Sequence, residues 1–513
     1  MNNYCIIIKT GGKINMKEQN FIVEYPLIVE KWQADILDKR FEIARKLYNE
    51  LLSKTLKKYN EMVKTKEYRG LLSYIERDDN GKARKTEKNK EIWGRINDIQ
   101  KANGFTKYGF INMMTQIYKR YNSNMDSNTV NSIAVNVWSA WDKVLHGNGN
   151  KVHFKRYGDV NVLQGKSNKS GIRYVDGQIK IGGRSVRPLT LKVKLDKKDS
   201  FKMMALDNEI RYCAIVRKWI KTKYHYYVQI TFKGVLPPKL DKRTGEVKHT
   251  IGVGDVGIDI GISTVAVVGE NKVIFEELAS RVKNIESEKS RLLRKMDRSR
   301  RATNPDNYNE DGTVKQGVKL HWVKSNNYLK LAGRLRELYR KQAAIRKLEH
   351  EILANKIIEM GDNFYVEKMS FSDLAKRAEE TEKWSNGRYK SKKRYGRNIG
   401  DRAPAMLLEI INRKLVSYEK ELQKIDTASV KASQFNHKTG EYIEKPLSAR
   451  WNNIEGDEVQ RDLYSAFLIQ NVSEDLKSVN VEKCNERYDS FLELHDLLIE
   501  KLSGQPHPSS MGF

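Results

Sequence analysis

The spacing of apolar residues changes along this chain, and each change predicts a different kind of element. Two short β-like runs, Tyr4–Ile8 and Phe21–Leu27, come first. From Trp32 the spacing becomes helical: Ile36, Leu37, Phe41, Ala44, Leu47, Tyr48, Leu51 and Leu52 recur three and four apart, with basic residues on the opposite faces. That pattern continues through Tyr118 and Val130–Val144 to about Leu145, broken by a charged loop over Arg77–Glu91. Gly147-Asn148-Gly149-Asn150 is a turn signal. Residues 151–248 then read as strands: Val152–Tyr157, Ile172–Tyr174, Ile179–Ile181, Leu189–Val193, Ile210–Arg217 and Tyr224–Phe232, separated by Gly, Asp and Lys clusters. A small barrel or sandwich is expected there.

From Gly252 the pattern changes again. A strand (Val256–Val268) leads to a second (Lys272–Phe275) and a basic helix (Val282–Arg301). An Asn/Gly/Asp-rich loop (Asn304–Gly317), a long amphipathic helix (about Ser325–Met360) and a short strand (Asn363–Met369) follow. There is no internal repeat. At 513 residues the chain is long enough for about three units, each with its own core.

Charge narrows the class. Ninety-five Lys and Arg against 65 Asp and Glu give a net +30, which repels itself unless a polyanion neutralises it. Nucleic acid is the expected partner, because phosphates take many basic contacts; the bland alternative is a soluble basic protein. No apolar run is long enough to span a bilayer and there is no lipidation motif, so no membrane partner is expected. Cys5, Cys213 and Cys484 lie far apart with no CxxC, which excludes a disulfide scaffold and a cysteine-rich zinc site and fits a reducing cytosol. Cys5-Ile6-Ile7-Ile8 is too short for a signal peptide.

Three acids stand out by their settings. Asp259 lies in Gly257-Ile258-Asp259-Ile260-Gly261, inside an apolar strand where a carboxylate is costly without a cation or hydrogen bond. Glu367 ends the strand Phe364-Tyr365-Val366-Glu367 after the long helix. Asp462 opens a helix with Leu463, Phe467 and Leu468 on one face. Singly, each has a structural reading; an Asp at a helix start is commonly an N-cap. Jointly, three carboxylates supply the hard oxygen ligands that Mg²⁺ takes, and two such ions about 4 Å apart clamp the attacking and leaving oxygens of a phosphodiester.

Gly257-Ile258-Asp259-Ile260-Gly261 followed by Val265-Ala266-Val267-Val268 resembles the first RuvC motif of TnpB and compact Cas12 (type V) proteins. Val366-Glu367-Lys368-Met369-Ser370 resembles the second, and Arg461-Asp462-Leu463-Tyr464-Ser465-Ala466 the third. The resemblance covers residues 250–475 well and the front of the chain loosely. It implies an α+β multidomain protein: an RNase H-like (RuvC) α/β nuclease domain behind a β-barrel wedge domain with an inserted helical recognition domain. The corresponding boundaries are 1–30 and 149–250 for the wedge, 31–148 for the helical domain and 251–425 for the nuclease domain with a basic bridging helix. Residues 426–458 form an insert, 459–475 the third motif and 476–513 a C-terminal tail.

By the same resemblance Asp259, Glu367 and Asp462 are catalytic and hold two Mg²⁺ ions, with Mn²⁺ as a substitute. The partners it implies are a guide RNA and double-stranded target DNA carrying a short flanking motif, in a prokaryotic cytoplasm. One copy or two on the RNA are both compatible with it. Relatives carry two CxxC pairs between the second and third motifs; this chain has Ser433–Gly440 and Leu447–Trp451 instead, so no zinc is expected and the insert reads as metal-free and target-strand-loading. His437 there reads as a residue of a polar turn. Arg450 sits where relatives have a basic residue near the cleavage centre and is carried as a catalytic candidate.

Two basic segments are candidate nucleic-acid contacts. Arg291, Arg294, Lys295, Arg298, Arg300 and Arg301 cover most of a helix whose apolar stripe is Leu292, Met296 and Leu293. With little Glu for i,i+4 pairing, the segment resembles the bridging helix beside a guide–target heteroduplex, whose A-form backbone such proteins track. Lys392, Lys393, Arg394 and Arg397 interleave with Trp384, Tyr389 and Tyr395, a composition suited to unpaired bases and their phosphates; a plain basic loop is the other reading. Three rival functions are weighed: a guided DNA-binding protein with little or no cleavage, a structural RNA-binding protein, and an actin-like phosphotransferase. The last needs a second Asp-Gly phosphate motif and a Gly-rich adenosine segment, neither of which is present.

Overall fold

The structure is a computed structural model and describes residues 19–79, 81, 83–377, 385, 395–446, 448–504 and 511–512. The run Tyr4–Ile8 lies outside the described residues. The chain divides into two compact units, Met1–Leu240 and Asp241–Phe513. The break falls before the expected 250, and His249 already bonds into the second unit: its Nδ1 lies 2.7 Å from Glu359 Oε1, and its carbonyl accepts from Tyr418 Oη (3.2 Å).

In the first unit, β1 (Asn20–Ile28) is followed by α1 (Lys31–Lys64), α2 (Lys66–Ser73), α3 (Glu87–Ala102), α4 (Lys107–Tyr118) and α5 (Ser127–Leu145). β2 (Val162–Gln164), β3 (Gly171–Val175), β4 (Gln178–Gly183), β5 (Val186–Val193), α6 (Ser200–Leu206), β6 (Ile210–Ile220) and β7 (Lys223–Lys233) complete it. Thr65, Thr86, Thr106 and Asp126 each accept a first-turn backbone N–H and start α2 to α5. The expected barrel or sandwich takes the form of one antiparallel sheet ordered β2-β6-β7-β1-β5-β4-β3. β1 pairs with β7 on one side and β5 on the other, so the first strand closes the sheet only after the five helices have been passed.

Three local expectations fail. Val152–Tyr157 is not a strand: the side chain of Asn49 bonds both the N–H (2.8 Å) and C=O (2.9 Å) of Lys155, which removes them from any ladder. The charged loop ends at Thr86, whose cap starts α3 at Glu87. The short helix α6, whose first turn is capped by Asp199, interrupts the strand run.

The second unit carries β8 (Asp255–Ile260), β9 (Thr264–Val268), β10 (Val273–Glu277), α7 (Lys283–Thr303), α8 (Asn326–Ile358), β11 (Asn363–Glu367), α9 (Phe371–Leu374), α10 (Gly396–Arg402), α11 (Pro404–Val416) and β12 (Leu422–Ile425). Then come α12 (Thr427–Val430), β13 (Trp451–Ile454), β14 (Asp457–Gln460), α13 (Arg461–Gln470) and α14 (Val481–Ser503). The run Val256–Val268 is two strands, turned at Gly261, whose N–H donates to Thr264 O (2.9 Å). The main sheet is ordered β10-β9-β8-β11-β12: β8, β9 and β10 are an antiparallel meander, while β11 runs parallel to β8 and β12 parallel to β11.

Alternation along the strands sorts this sheet into two cores. Val256, Ile258, Ile260, Phe364 and Val366 pack with α8 and α11 residues such as Leu353, Ile357, Leu407 and Ile411. Ala266, Val268, Phe275 and Ile425 pack on the other face with α13 and α14, through Leu463, Phe467, Tyr488 and Phe491. Buried on both sides, the strands read as continuous apolar runs. The sequence 476–513, expected as a tail, thus contributes α14 to the core.

The basic helix α7 packs on α8 through Leu292, Met296, Leu331 and Leu338. Leu293 is exposed, and the buried stripe is completed instead by Lys289. Its ammonium donates to Gln342 Oε1 and Asp401 Oδ1 (both 2.9 Å), tying α7 to α8 and α10. No described helix is long and apolar enough to cross a membrane.

Candidate active site

Asp259 and Glu367 each follow the last registered pair of adjacent parallel strands, Ile258 opposite Val366. Both stand at strand C-terminal ends, on neighbouring strands about 4.8 Å apart. The chain turns to one side of β8 for β9 and β10 and to the other for β11 and β12, so β8 and β11 flank a topological switch point. In open α/β sheets ligands bind outside the carboxyl ends of the strands at such a point.

Alternation turns Asp259, like Gly257, to the face covered by α13. Gly257 is what lets the helix approach. A Cβ there would lie 2.0 Å from Ala466 O and 2.3 Å from Gln470 N. The helix runs back along the strand: Gln470 Nε2 donates to Asp255 O (3.0 Å), and Ala466 lies over Gly257. Four helical residues rise about 6 Å and two strand residues about 6.7 Å. One turn before Ala466, Asp462 therefore comes level with Asp259.

Asp462 is not an N-cap. Gln460 caps α13, its Oε1 accepting from Asp462 N–H (2.7 Å) and Leu463 N–H (2.9 Å), which leaves the Asp462 carboxylate for other partners. Gln460 is fully buried and itself fixed: its N–H donates to His495 Nε2 (3.0 Å) and its Nε2 to Met511 O (3.2 Å). With Nε2 accepting, His495 carries its proton on Nδ1 and donates to Asp496 Oδ1 (2.8 Å). Burial holds the His495 imidazole below its usual range, in keeping with a neutral ring.

The electrostatics join the three acids. The Asp259 carboxyl is pushed well above the carboxylate range, first by burial and then by the negative charges of Asp462 and Glu367, with Arg461 pulling the other way. Burial raises Glu367 as well. Carboxylates gathered in a low-dielectric site favour a proton or a cation between them. The donor set, all carboxylate oxygens, suits Mg²⁺ rather than zinc. Among the described residues, no three His, Cys, Asp or Glu side chains converge closely enough to hold an ion as they stand.

Sequence reasoning missed Arg461. Its Nε and Nη2 lie 3.3 and 3.2 Å from Asp462 Oδ1, and its Nη1 donates to Ala449 O (3.0 Å). The signal was available: a cation in the first turn of a helix opposes the dipole there and needs a local partner. Arg450, the arginine expected at the centre, accepts the Arg461 N–H with its backbone carbonyl (2.8 Å), and its side-chain stem packs against Gly512. The guanidinium bonded to a site carboxylate is that of Arg461.

His437 does lie in a polar turn, closed by Gly440 N–H donating to Asn436 O (2.9 Å), but its side chain points inward. It is buried among Tyr464, Phe467 and Tyr488, with Nδ1 2.7 Å from Tyr464 Oη, and burial pulls its imidazole down to about 4. The segment 426–458 is thereby held to α13 by a hydrophobic core that includes Val430, Phe435 and Ile454.

Of the basic candidates, Arg291, Arg294, Lys295 and Arg298 are exposed on α7, with no ion pair among the described residues. Arg300 and Arg301 both bind Asp297 (2.6 and 2.7 Å) and lie over the rings of Trp322 and Tyr308, so they brace the following loop. Arg397, on α10, is exposed and donates to Ser290 Oγ (3.2 Å). Lys392, Lys393, Arg394, Trp384 and Tyr389 lie outside the described residues.

No family model matches the chain, and no curated protein matches it. Among solved structures it is similar to a Cas12f1–sgRNA–target DNA complex at 12% identity and a TM-score of 0.43, over 88% of this chain and 99% of that one. It is also similar to a CRISPR-Cas12f ternary complex at 13% identity and a TM-score of 0.25, over 86% of this chain and 82% of that one.

Proposed function

We propose that this protein is an RNA-guided DNA endonuclease with a single RuvC-type site, in which Asp259, Glu367 and Asp462 are the catalytic carboxylates. The observation that carries the reading is the close packing of α13 on Gly257, which sets Asp462 one turn before Ala466 and level with Asp259, beside the strand switch point that Asp259 and Glu367 flank. The raised carboxyl of Asp259 supports it, since an acid buried beside two others at a cost to stability points to a purpose in the site.

The residues' roles follow from their places. Asp259 and Glu367 present oxygens from rigid strands, and Asp462 from a helix whose start is fixed by Gln460 and His495. Mg²⁺ bound there supplies the activated water and the charge stabilisation for phosphodiester hydrolysis. Arg291, Arg294, Lys295 and Arg298 on α7 follow the phosphates of a guide–target heteroduplex, while base pairing by the guide RNA reads the sequence. The +30 charge suits two nucleic-acid partners in one complex.

The test is to express the gene with its native flanking DNA, purify the protein at high salt and sequence the RNA that stays bound. One defined RNA, followed by Mg²⁺-dependent cutting of DNA matched to its guide segment, is expected. Asp259→Ala should lose cutting and keep guided binding. Random cellular RNA defeats the guide, and unimpaired cutting by Asp259→Ala defeats the site.

A further inference from the structure

We propose that Arg461 is a built-in counter-cation to Asp462 that competes with a divalent ion for this carboxylate, so that this arginine sets the metal affinity of the site. The inference rests on the three carboxylates being the metal ligands, and it concerns a residue outside that set.

Two donors of Arg461, Nε and Nη2, both address one oxygen of Asp462, Oδ1. The third donor, Nη1, is tied to Ala449 O, on the strand of chain leading into the β13–β14 hairpin. The side chain is only 11% exposed and Asp462 only 17%, so the pair is poorly screened. A guanidinium does not deprotonate in proteins. Its positive charge therefore persists whatever the pH, and its field also reaches Asp259.

The position has no helix-stabilising reason. Arg461 is the first residue of α13 after its cap, where the partial positive charge of the helix end disfavours a cation. What holds it there is the fork across Asp462 and Ala449. A divalent ion drawing on Asp462 must either displace the guanidinium from Oδ1 or bind through Oδ2 beside a full positive charge, and both weaken its hold. Releasing Asp462 leaves the guanidinium anchored at Ala449, still beside the site.

The test uses the nucleic-acid-free full chain and reads Mn²⁺ binding by loss of the free-ion electron paramagnetic resonance signal. Arg461→Gln should bind Mn²⁺ about tenfold more tightly than the parent, the size expected for removing one close competing charge. Arg461→Lys keeps the charge but cannot span Asp462 and Ala449 together, so it should fall between the two; it also serves if the Gln variant folds poorly. Lys501→Gln, an exposed charge removed elsewhere, should leave affinity unchanged, and a tenfold gain there would reduce the effect to net charge and overturn the proposal. Asp259→Asn should lose the binding. If Asp259→Asn binds like the parent, the carboxylates are not the ligands and the functional reading itself fails. If Asp259→Asn loses binding while both Arg461 variants bind equally or more weakly, the counter-cation proposal alone is overturned.

Discussion

Gly257 and Ala466 are in backbone contact: a Cβ added to the glycine would sit 2.0 Å from the alanine carbonyl oxygen. Everything at the site depends on that approach, because it sets how deeply α13 lies on the sheet and hence how close Asp462 comes to Asp259. Gly257→Ala should push the helix outward and cost about 3 kcal/mol, the upper end for overpacking against rigid backbone. It should lose activity although no carboxylate is altered. Gly333→Ala, in the α8 interior with nothing within 4 Å, is the control and should gain about 0.5–1 kcal/mol. Denaturant midpoints of both variants check the pair.

Asp259 should destabilise the protein that it serves. Its carboxyl is raised by burial and by Asp462 and Glu367, so the ionised folded state is penalised at neutral pH. For an acid with a raised folded value the penalty is complete above that value and vanishes below the unfolded value near 4. Asp259→Asn should therefore raise Tm at pH 7.5, by about 1–2 °C if the gain is near 1 kcal/mol, and the gain should shrink towards pH 4. Calorimetry across pH, beside a cleavage assay showing lost activity, measures both halves.

Buried histidines should make the second unit acid-sensitive. His437 is pulled from 6.5 to about 4, and burial lowers His350 and His495 as well. Between those values the unfolded chain takes up protons that the folded chain refuses, so stability is intact above pH 6.5 and falls as pH drops towards 4. For His437 the loss approaches about 3 kcal/mol. His437→Asn, which retains an acceptor near Tyr464 Oη, should lessen the slope of Tm against pH in this window; an unchanged slope would contradict the assignment.

The exposed cations of α7 should act through phosphates rather than through folding. Changing Arg291, Arg294, Lys295 and Arg298 together to Gln should leave Tm nearly unaltered, since none has an ion pair among the described residues. It should lower the slope of log affinity against log salt for bound RNA or heteroduplex by about 3, at 0.7–0.9 per phosphate contact. The paired Arg300 and Arg301 should behave oppositely, losing stability before salt dependence. Binding isotherms at several salt concentrations separate the two groups.

The sequence by itself determined most of the elements and where the three acids stand in them. Helical and strand periods and acids set in apolar strands are local features, written in neighbouring residues. The switch from β to helix before Lys283 and the long helix through Ile358 were legible in this way. Tertiary structure decided what local pattern does not encode. Val152–Tyr157 had strand composition, but Asn49, a hundred residues earlier, took its backbone groups. Asp462 looked like a cap until a buried glutamine, braced by His495 and Met511, proved to be the cap. Lys289, a cation of the basic helix, is buried against Asp401. His437 and Arg461 became parts of a core and of a site because α13 and α14 pack around them. The reason is common to all: a residue's partners and dielectric are set by chain segments far away in sequence, and periodicity reports only which way a side chain faces, not what it meets.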